Sequence, residues 1–299
     1  GKQPWDDAVT MVLTYAEIPY ETIYDTEVLS DALLLYDWLH LHHEDFTGQY
    51  GKFYRAYRNA AWYIEQQKKS EILAKSLGYD KVSKQKLAVA QKIREYVIGG
   101  GFMFAMCSAT DSFDIALAAQ SLDICEPMFD GDGSSQNYQA QLDYSKTIAF
   151  KDFILERNPS VYEFSSIDMT QDRKVSKELD YFSLMDFSAK WDPIPTMLNQ
   201  NHTALVKGFM GQTTAYKRDQ VKSNVLVLGE NKSNGEARYI HGIKGQGFFT
   251  FYGGHDPEDY THRVGDPKTE LELHPTSPGY RLILNNILFP AARKKKKKT

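Results

Sequence analysis

The sequence has few cysteines and no long apolar run. Its 299 residues include only two cysteines, Cys107 and Cys125, which is too few to suggest a disulfide framework. No stretch of 18 consecutive apolar residues occurs, so no transmembrane helix is predicted. Residues 1–5 lack the apolar core of a signal peptide, and none is expected within this sequence. The compartment stays open between cytoplasm and periplasm.

Several binding motifs are also missing. The chain has no Walker loop and no dinucleotide fingerprint, because the Gly-Gly-Gly run at 99–101 precedes a predicted strand instead of following one. The segment 130–133 (Asp-Gly-Asp-Gly) resembles part of a calcium loop. It lacks the glutamate that closes such a loop, so a flexible turn is expected there. No cofactor is predicted from these segments.

Charge is unevenly distributed along the chain. The formal net charge is −4, from 35 basic and 39 acidic residues, yet the segment 293–298 supplies six of the basic ones. The rest of the chain is therefore acidic and would repel nucleic-acid phosphates. Hydrophobic residues make up 42% of the sequence, enough to form a core. We expect one domain over residues 1–292, a solvated basic tail over 293–299, and no nucleic-acid or membrane partner.

Apolar periodicity alternates between helical and extended in the first half, which predicts a doubly wound, mostly parallel α/β sheet. The second half favours added antiparallel strands, with irregular loops over about 168–201. The predicted helices are one capped by Asp6 or Asp7, one over 59–77, one capped by Ser83, and a closing helix over 280–289. The predicted strands are 20–24, 38–42, 102–106, 162–167, 204–210, 224–228, 237–243 and 248–252, with a hairpin turn at 233–236.

The strongest local motif surrounds Cys107. An apolar strand leads directly into this cysteine, and an alanine-rich helix follows it. That order is typical of a nucleophile elbow, in which the residues two before and two after the nucleophile are small; here both are alanine. The helix N-terminus would favour the thiolate, and the N–H of Ser108 would stabilise an oxyanion. The alternative is that Cys107 is a small core residue at a strand end.

A second motif presents His255. Two glycines after a predicted strand let the chain turn sharply at Tyr-Gly-Gly-His-Asp-Pro-Glu. An imidazole is the natural base for a thiol, and Asp256 or Glu258 could orient it. An ordinary surface histidine is the alternative. Because parallel strands of an open sheet end at one edge, Cys107 and His255 are expected to face the same pocket.

A third motif holds three histidines and two acids at the end of a predicted strand. Alternation places His40 and His42 on one face of that strand and His43 on the other. With Glu44 and Asp45, they could form a zinc or iron site, although the spacing matches no specific metal motif. A polar pocket wall that includes His42, His43 and Glu44 is the preferred interpretation, and no metal is predicted.

Together these motifs resemble the class I glutamine amidotransferase-like superfamily, and more closely its trehalose-utilisation (ThuA-like) members. Residues 99–111 are similar to their Gly-Gly-Gly, apolar strand and Ser-Ala-Thr/Ala-Asp stretch, and 254–258 to their Gly-His-x-Pro-Glu loop. Residues 38–50 and 104–111 look nearly identical to bacterial proteins labelled "asparagine synthetase B", a likeness that spans almost the whole chain. The sequence has neither the amino-terminal cysteine nor the Ser-Gly-Gly-x-Asp-Ser loop of glutamine-dependent asparagine synthetases.

The resemblance implies a flavodoxin-like sheet and a Cys-His-Glu triad of Cys107, His255 and Glu258. Such a triad would make the protein a hydrolase or amidotransferase-like enzyme acting on a carboxamide or related acyl bond of a small molecule. The resemblance also implies a first strand before Gly1, so that this sequence would be part of a longer protein.

The remaining pocket residues follow from the same hypothesis. Backbone N–H groups of Ser108 and near Thr47 and Gly48 would hold the oxyanion, and Asp111 would lie in the same pocket. Two other functions stay open beside it: a ThuA-like carbohydrate-related binding protein without thiol catalysis, suggested by the aromatic residues that follow the histidines, and a metal-dependent enzyme using the cluster from His40 to Glu44. Homodimerisation is left open.

Overall fold

A computed structural model describes residues 7–186, 203–261 and 266–293. Within that part of the chain, eight strands form one sheet. The strands are β1 (Trp38–His42), β2 (Phe102–Met106), β3 (Tyr181–Leu184), β4 (Leu205–Lys207), β5 (Tyr216–Lys217), β6 (Leu226–Asn231), β7 (Glu236–Lys244) and β8 (Gly247–Tyr252). The α-helices are α1 (Ala8–Tyr15), α2 (Asp25–Leu29), α3 (Tyr54–Tyr57), α4 (Ala61–Ser76), α5 (Val82–Ile98), α6 (Ser108–Ala118), α7 (Pro127–Asp130), α8 (Tyr138–Gln141) and α9 (Pro278–Arg293).

The sheet is parallel at the side formed by β1, β2 and β8 and antiparallel across the rest. Its order is β1-β2-β8-β7-β6-β3-β4, and β5 pairs with β7 beside this path. β1, β2 and β8 run parallel, and every other pairing is antiparallel. The predicted α/β class, with antiparallel strands added in the second half, is confirmed.

All five residues of strand β2 are buried because helices cover both of its faces. Met103 and Ala105 belong to a core formed with α5 and α6. Phe104 and Met106, which point to the other face, belong to a second core formed with α1 and α9. Burial on both faces is why this strand is continuously apolar instead of alternating. None of the helices in the described ranges is both long and apolar enough to cross a membrane.

Local sequence signals set several element ends correctly. Asp7 caps α1, since its carboxylate accepts the N–H groups of Val9 and Thr10. Helix α5 ends at Gly99, as predicted. The hairpin between β6 and β7 turns at Gly235, whose φ of 65° lies in the left-handed region that glycine adopts readily.

Two predicted strands are wrong, and one predicted helix cap is misplaced. Residues 20–24 and 162–167 form no strand: the first has no neighbouring strand, and the second makes only an isolated bridge through Ser165. Aromatic and β-branched residues favour strands only where a partner strand supplies hydrogen bonds. The N-cap of helix α5 is Lys81, two residues before the predicted cap Ser83. The predicted loops over 168–201 contain β3, while 187–202, Asp6 and the tail beyond 293 lie outside the described residues.

Candidate functional site

The three parallel strands bring the sequence motifs to one edge of the sheet. His42, the last residue of β1, lies opposite Met106 at the end of β2, and Met106 lies opposite Tyr252 at the end of β8. Cys107 therefore follows β2, and His255 follows β8, at the same edge. This is the edge at which ligands bind in open α/β sheets.

The side chains that converge at this edge are three imidazoles. One ring nitrogen from each of His42, His43 and His255 lies within 4.8 Å of the other two. The ring centroids are 4.0 Å apart for His42 and His43, 4.5 Å for His42 and His255, and 4.1 Å for His43 and His255. We call these three residues the imidazole cluster.

The position of His43 differs from the prediction. Alternation along a strand would send His42 and His43 to opposite faces. Instead β1 ends at His42, and His43 has a φ of 55°, so the two rings stack with planes inclined by only 13°. The left-handed backbone at His43 therefore completes the cluster. The prediction for His40 and His42 is confirmed, since their rings share a face of β1 at 5.7 Å.

His42 lies in the interior of this edge. Its side chain is only 3% exposed, and neither ring nitrogen has a hydrogen-bond partner within the described residues. Burial, and then the neighbouring His255, lower the pKa of His42 to about 4. At neutral pH the ring is therefore uncharged, with one nitrogen lone pair available.

A carboxylate lies behind His42. Asp7 Oδ1 is 3.6 Å from Nδ1 of His42 and 3.3 Å from Nε2 of His40. Burial alone would raise the pKa of Asp7, but the two histidines hold it well below its usual range. Nδ1 of His40 is 3.3 Å from the carbonyl oxygen of Phe104, which can only accept. Asp7 is therefore an ionised carboxylate beside the rings of His40 and His42.

Cys107 has a different environment at the same edge. It joins β2 to α6 with a φ of 56°, the unusual backbone that a sharp strand-to-helix turn requires. The sulfur is 1% exposed and accepts the backbone N–H of Gln212 at 3.2 Å. Burial raises the pKa of the Cys107 thiol to about 11, although N–H groups of Gln212, Thr213 and Ser108 act in the opposite direction.

The sulfur of Cys107 and the backbone of His255 are held by the same loop. The N–H of His255 donates to Met210, and the N–H of Gly254 donates to Thr213, so the segment 210–214 lies between the two motifs. Backbone N–H groups donate to the Cys107 sulfur, and Asp111 adds a nearby negative charge. The elbow backbone is present, whereas the imidazole of His255 joins His42 and His43.

Two buried acids lie below Cys107. Asp111 accepts the hydroxyl of Thr213 at 2.9 Å, and burial raises its pKa to about 7. Burial also raises the pKa of Asp168 well above its usual range, with Asp111 adding to the shift. Asp111, predicted as a pocket residue, is a buried carboxylate close to the Cys107 turn.

The acids of the His255 loop have other partners. Glu258 Oε2 lies 3.4 Å from Nδ1 of His274. Asp256 accepts the hydroxyl groups of Tyr280 at 2.8 Å and Thr269 at 2.9 Å. Asp256 therefore fixes the loop to α9, and Glu258 pairs with a different imidazole from the one that the triad hypothesis requires.

The residues that follow His43 are also engaged elsewhere. Glu44 pairs with Lys86 at 3.1 Å. The N–H of Thr47 donates to Asp45 at 2.7 Å, so it is not directed at an oxyanion. A side chain at Gly48 would collide with Ser83, so this loop packs closely against α5. The contacts of this loop are therefore with Lys86, Asp45 and helix α5, and none of these contacts is with the imidazole cluster.

Aromatic residues form a group further along the same loop. Phe53 contacts Tyr57, Trp62 and Tyr162 with centroid distances between 5.6 and 6.1 Å. Trp62 is 38% exposed and Tyr162 is 40% exposed. The backbone carbonyl of Tyr162 accepts the side chain of Gln212, which connects this group to the Cys107 loop. Carbohydrate binding by these rings stays a prediction.

A second group of potential ligands is already neutralised. Asp123, Cys125 and Asp130 have ligand atoms within 4.8 Å of one another. Lys81 Nζ lies 2.5 Å from Asp123 and 3.1 Å from Asp130, and it also pairs with Asp132. The ammonium group takes the place that a cation would have.

Sequence reasoning missed three residues of the site. Asp7 was identified only as a helix cap, and nothing in the sequence linked it to the histidines. Gln212 and Thr213 carry no motif, and they reach Cys107 through backbone groups that any residue type possesses. Only the fold brings these segments together.

No family model matches the chain, and no curated protein matches it. Two of the solved structures that match the chain are cytoplasmic proteins at low identity. Cytoplasmic protein STM3548 from Salmonella typhimurium aligns at 12% identity with a TM-score of 0.42, over 94% of this chain and 84% of its own. Cytoplasmic protein STM1381 from Salmonella typhimurium LT2 aligns at 12% identity with a TM-score of 0.44, over 98% of this chain and 89% of its own. A likeness at this level carries no argument about function, and the amidotransferase-like resemblance stays a prediction.

Proposed function

We propose that this protein is a metal-dependent enzyme in which His42, His43 and His255 bind one divalent ion of the zinc class. The observation that carries the proposal is the convergence of three imidazole nitrogens, from two distant segments, within 4.8 Å of one another. Imidazole nitrogen is a preferred zinc ligand, and catalytic zinc sites commonly take three protein ligands with a fourth position open.

The spacing suits such an ion after small ring rotations. Zinc–nitrogen distances of about 2.0–2.1 Å in a tetrahedral site separate the ligand nitrogens by about 3.3 Å. The ring nitrogens of the cluster lie within 4.8 Å of one another, and the rings are attached to a strand end and to a glycine-containing loop. His43 is exposed at the surface, so the open position would face solvent and a small-molecule substrate.

The chemistry that the site would support is hydrolysis or a related acyl reaction. A bound ion would polarise a carbonyl group or a water molecule. His42 and His255, both buried, would hold it against the end of the sheet, and His43 would close the cluster from the solvent side. The remaining wall, including the Cys107 turn, would shape the space for the substrate.

The test compares metal content and activity. Wild-type protein, stripped with a chelator and reloaded with zinc, is expected to bind one ion per chain and to hydrolyse members of an amide and ester panel only when loaded. His255→Ala should lose both properties. His274→Ala is the matched control, because this partly exposed histidine pairs with Glu258 outside the cluster. Absence of stoichiometric binding, or equal binding by the His255 variant, would overturn the proposal.

A thiol-dependent hydrolase or amidotransferase-like enzyme is the second candidate. It is favoured by one specific observation: backbone N–H groups of Ser108, Gln212 and Thr213 act on the Cys107 sulfur at a positive-φ turn. Donors in that arrangement stabilise negative charge. Amidase activity that survives chelation and disappears in Cys107→Ala would support this candidate. Activity unchanged in Cys107→Ala would exclude it.

A further inference from the structure

We infer that Asp7 is a positioning residue for metal binding: it fixes the tautomer and orientation of His42, and thereby links the docking of helix α1 to ion affinity at the imidazole cluster. This inference rests on the proposed function. Ligand histidines commonly direct their second ring nitrogen at a carboxylate, which sets the protonated nitrogen and the ring orientation.

The Asp7 carboxylate faces Nδ1 of His42. Oδ1 of Asp7 is 3.6 Å from Nδ1 of His42, so a shift of a few tenths of an ångström gives a hydrogen bond. A carboxylate oxygen that faces Nδ1 at that distance accepts, and so favours a proton on Nδ1. Nε2 is then the nitrogen that carries the lone pair for the ion.

Asp7 is itself held rigidly. The same Oδ1 accepts the N–H groups of Val9 at 2.8 Å and Thr10 at 2.9 Å, as the N-cap of α1. Helix α1 packs in the core that it shares with β2 and α9. The carboxylate can therefore leave His42 only if the first turn of α1 also moves.

The two roles of Asp7 are separable by substitution. Asn and Ser cap helices about as well as Asp, so Asp7→Asn and Asp7→Ser retain the cap and remove the carboxylate. Zinc affinity of the full chain, measured by competition with a chromophoric chelator, is expected to fall about 10- to 100-fold in both variants. The thermal midpoint of the metal-free protein should stay unchanged. Asp25→Asn, which removes a helix-start acid paired with Lys86, is the matched control and should bind zinc as wild type does.

A second measurement does not depend on metal. Imidazole ¹⁵N spectra of the metal-free protein should show the His42 proton on Nδ1 in wild type and a mixture of tautomers in Asp7→Ser. Unchanged zinc affinity in both cap-preserving variants, or a wild-type His42 protonated on Nε2, would overturn the inference. If wild type shows the Nδ1 tautomer but binds no zinc, the proposed function fails and the role of Asp7 in ion binding fails with it.

Discussion

Cys107 and the imidazole cluster lie at the same edge of the sheet in opposite chemical settings. The sulfur is sealed among backbone N–H groups, above the buried acid Asp111. The imidazoles converge, and one of them is exposed to solvent. Burial keeps the thiol protonated in the first arrangement, and the second brings three imidazole rings together. The end of a strand therefore only brings a side chain to this edge of the sheet. Its neighbours then determine its protonation state and its exposure to solvent.

The largest expected effect is on zinc affinity, which should depend on the imidazole cluster and not on Cys107. His42→Ala removes a buried ligand and should weaken zinc binding by more than about a thousandfold, since three protein ligands is the usual minimum for such a site. Cys107→Ala should change the affinity by less than about threefold. Competitive zinc titration of both variants checks this. A larger loss in the cysteine variant would place Cys107 in the ion site and reverse the comparison.

The next effect concerns thiol reactivity. With a pKa of about 11, about one Cys107 in a thousand is thiolate at pH 8, against about a quarter of ordinary thiols. Alkylation by iodoacetamide, followed by peptide mass mapping, should therefore be more than about 100-fold slower in the folded protein than in urea. Fast labelling of folded Cys107 would instead favour the thiol enzyme.

A smaller effect tests the acid beneath the sulfur. Burial raises the pKa of Asp111 to about 7, whereas an unfolded Asp titrates near about 3.9. The folded state therefore binds the proton more tightly, and the stability this provides is present below about pH 4 and lost as the pH rises through about 7. Asp111→Asn cannot ionise, so its stability relative to wild type should increase by about 2–3 kcal/mol between pH 5 and pH 8.

Urea unfolding at several pH values measures this difference. Asp219→Asn, at an exposed position, serves as the control and should show a flat difference from wild type. A flat difference for Asp111→Asn as well would mean that the acid is ionised in the folded protein. The environment of the sulfur would then be more negative than the structure indicates.

The smallest expected effect is at Glu258. Its ion pair with His274 is partly exposed, and such pairs contribute less than about 1 kcal/mol. Glu258→Gln should therefore change the unfolding free energy by less than that amount and leave zinc affinity within about twofold of wild type. A loss of activity by several orders of magnitude, with stability retained, would restore Glu258 to a triad.

The sequence predicted where the site lies better than it predicted which side chains form it. Apolar β2, the glycines before His255 and the histidines of β1 each indicated a strand that ends beside a polar group, and the register confirms that these ends coincide. Which side chains meet depended on single backbone angles. The left-handed φ of His43 has no sequence signal, because histidine adopts that conformation only rarely.

Contacts between residues that are distant in the sequence could not be predicted from local patterns either. Asp7 was correctly predicted as a cap, since capping depends on residues two and three positions away. Its approach to His42 depends on how α1 packs on the sheet. The same holds for Glu258, whose partner His274 lies on a later segment. Wrong strands at 20–24 and 162–167 arose because propensity does not reveal whether a partner strand exists.

The most direct test is crystallographic location of the ion. Crystals of zinc-loaded protein, measured on both sides of the zinc absorption edge, should give one strong anomalous peak about 2.0–2.1 Å from a ring nitrogen of each of His42, His43 and His255. A map with no peak at these imidazoles, or with its peak between Asp123 and Asp130, would contradict the account.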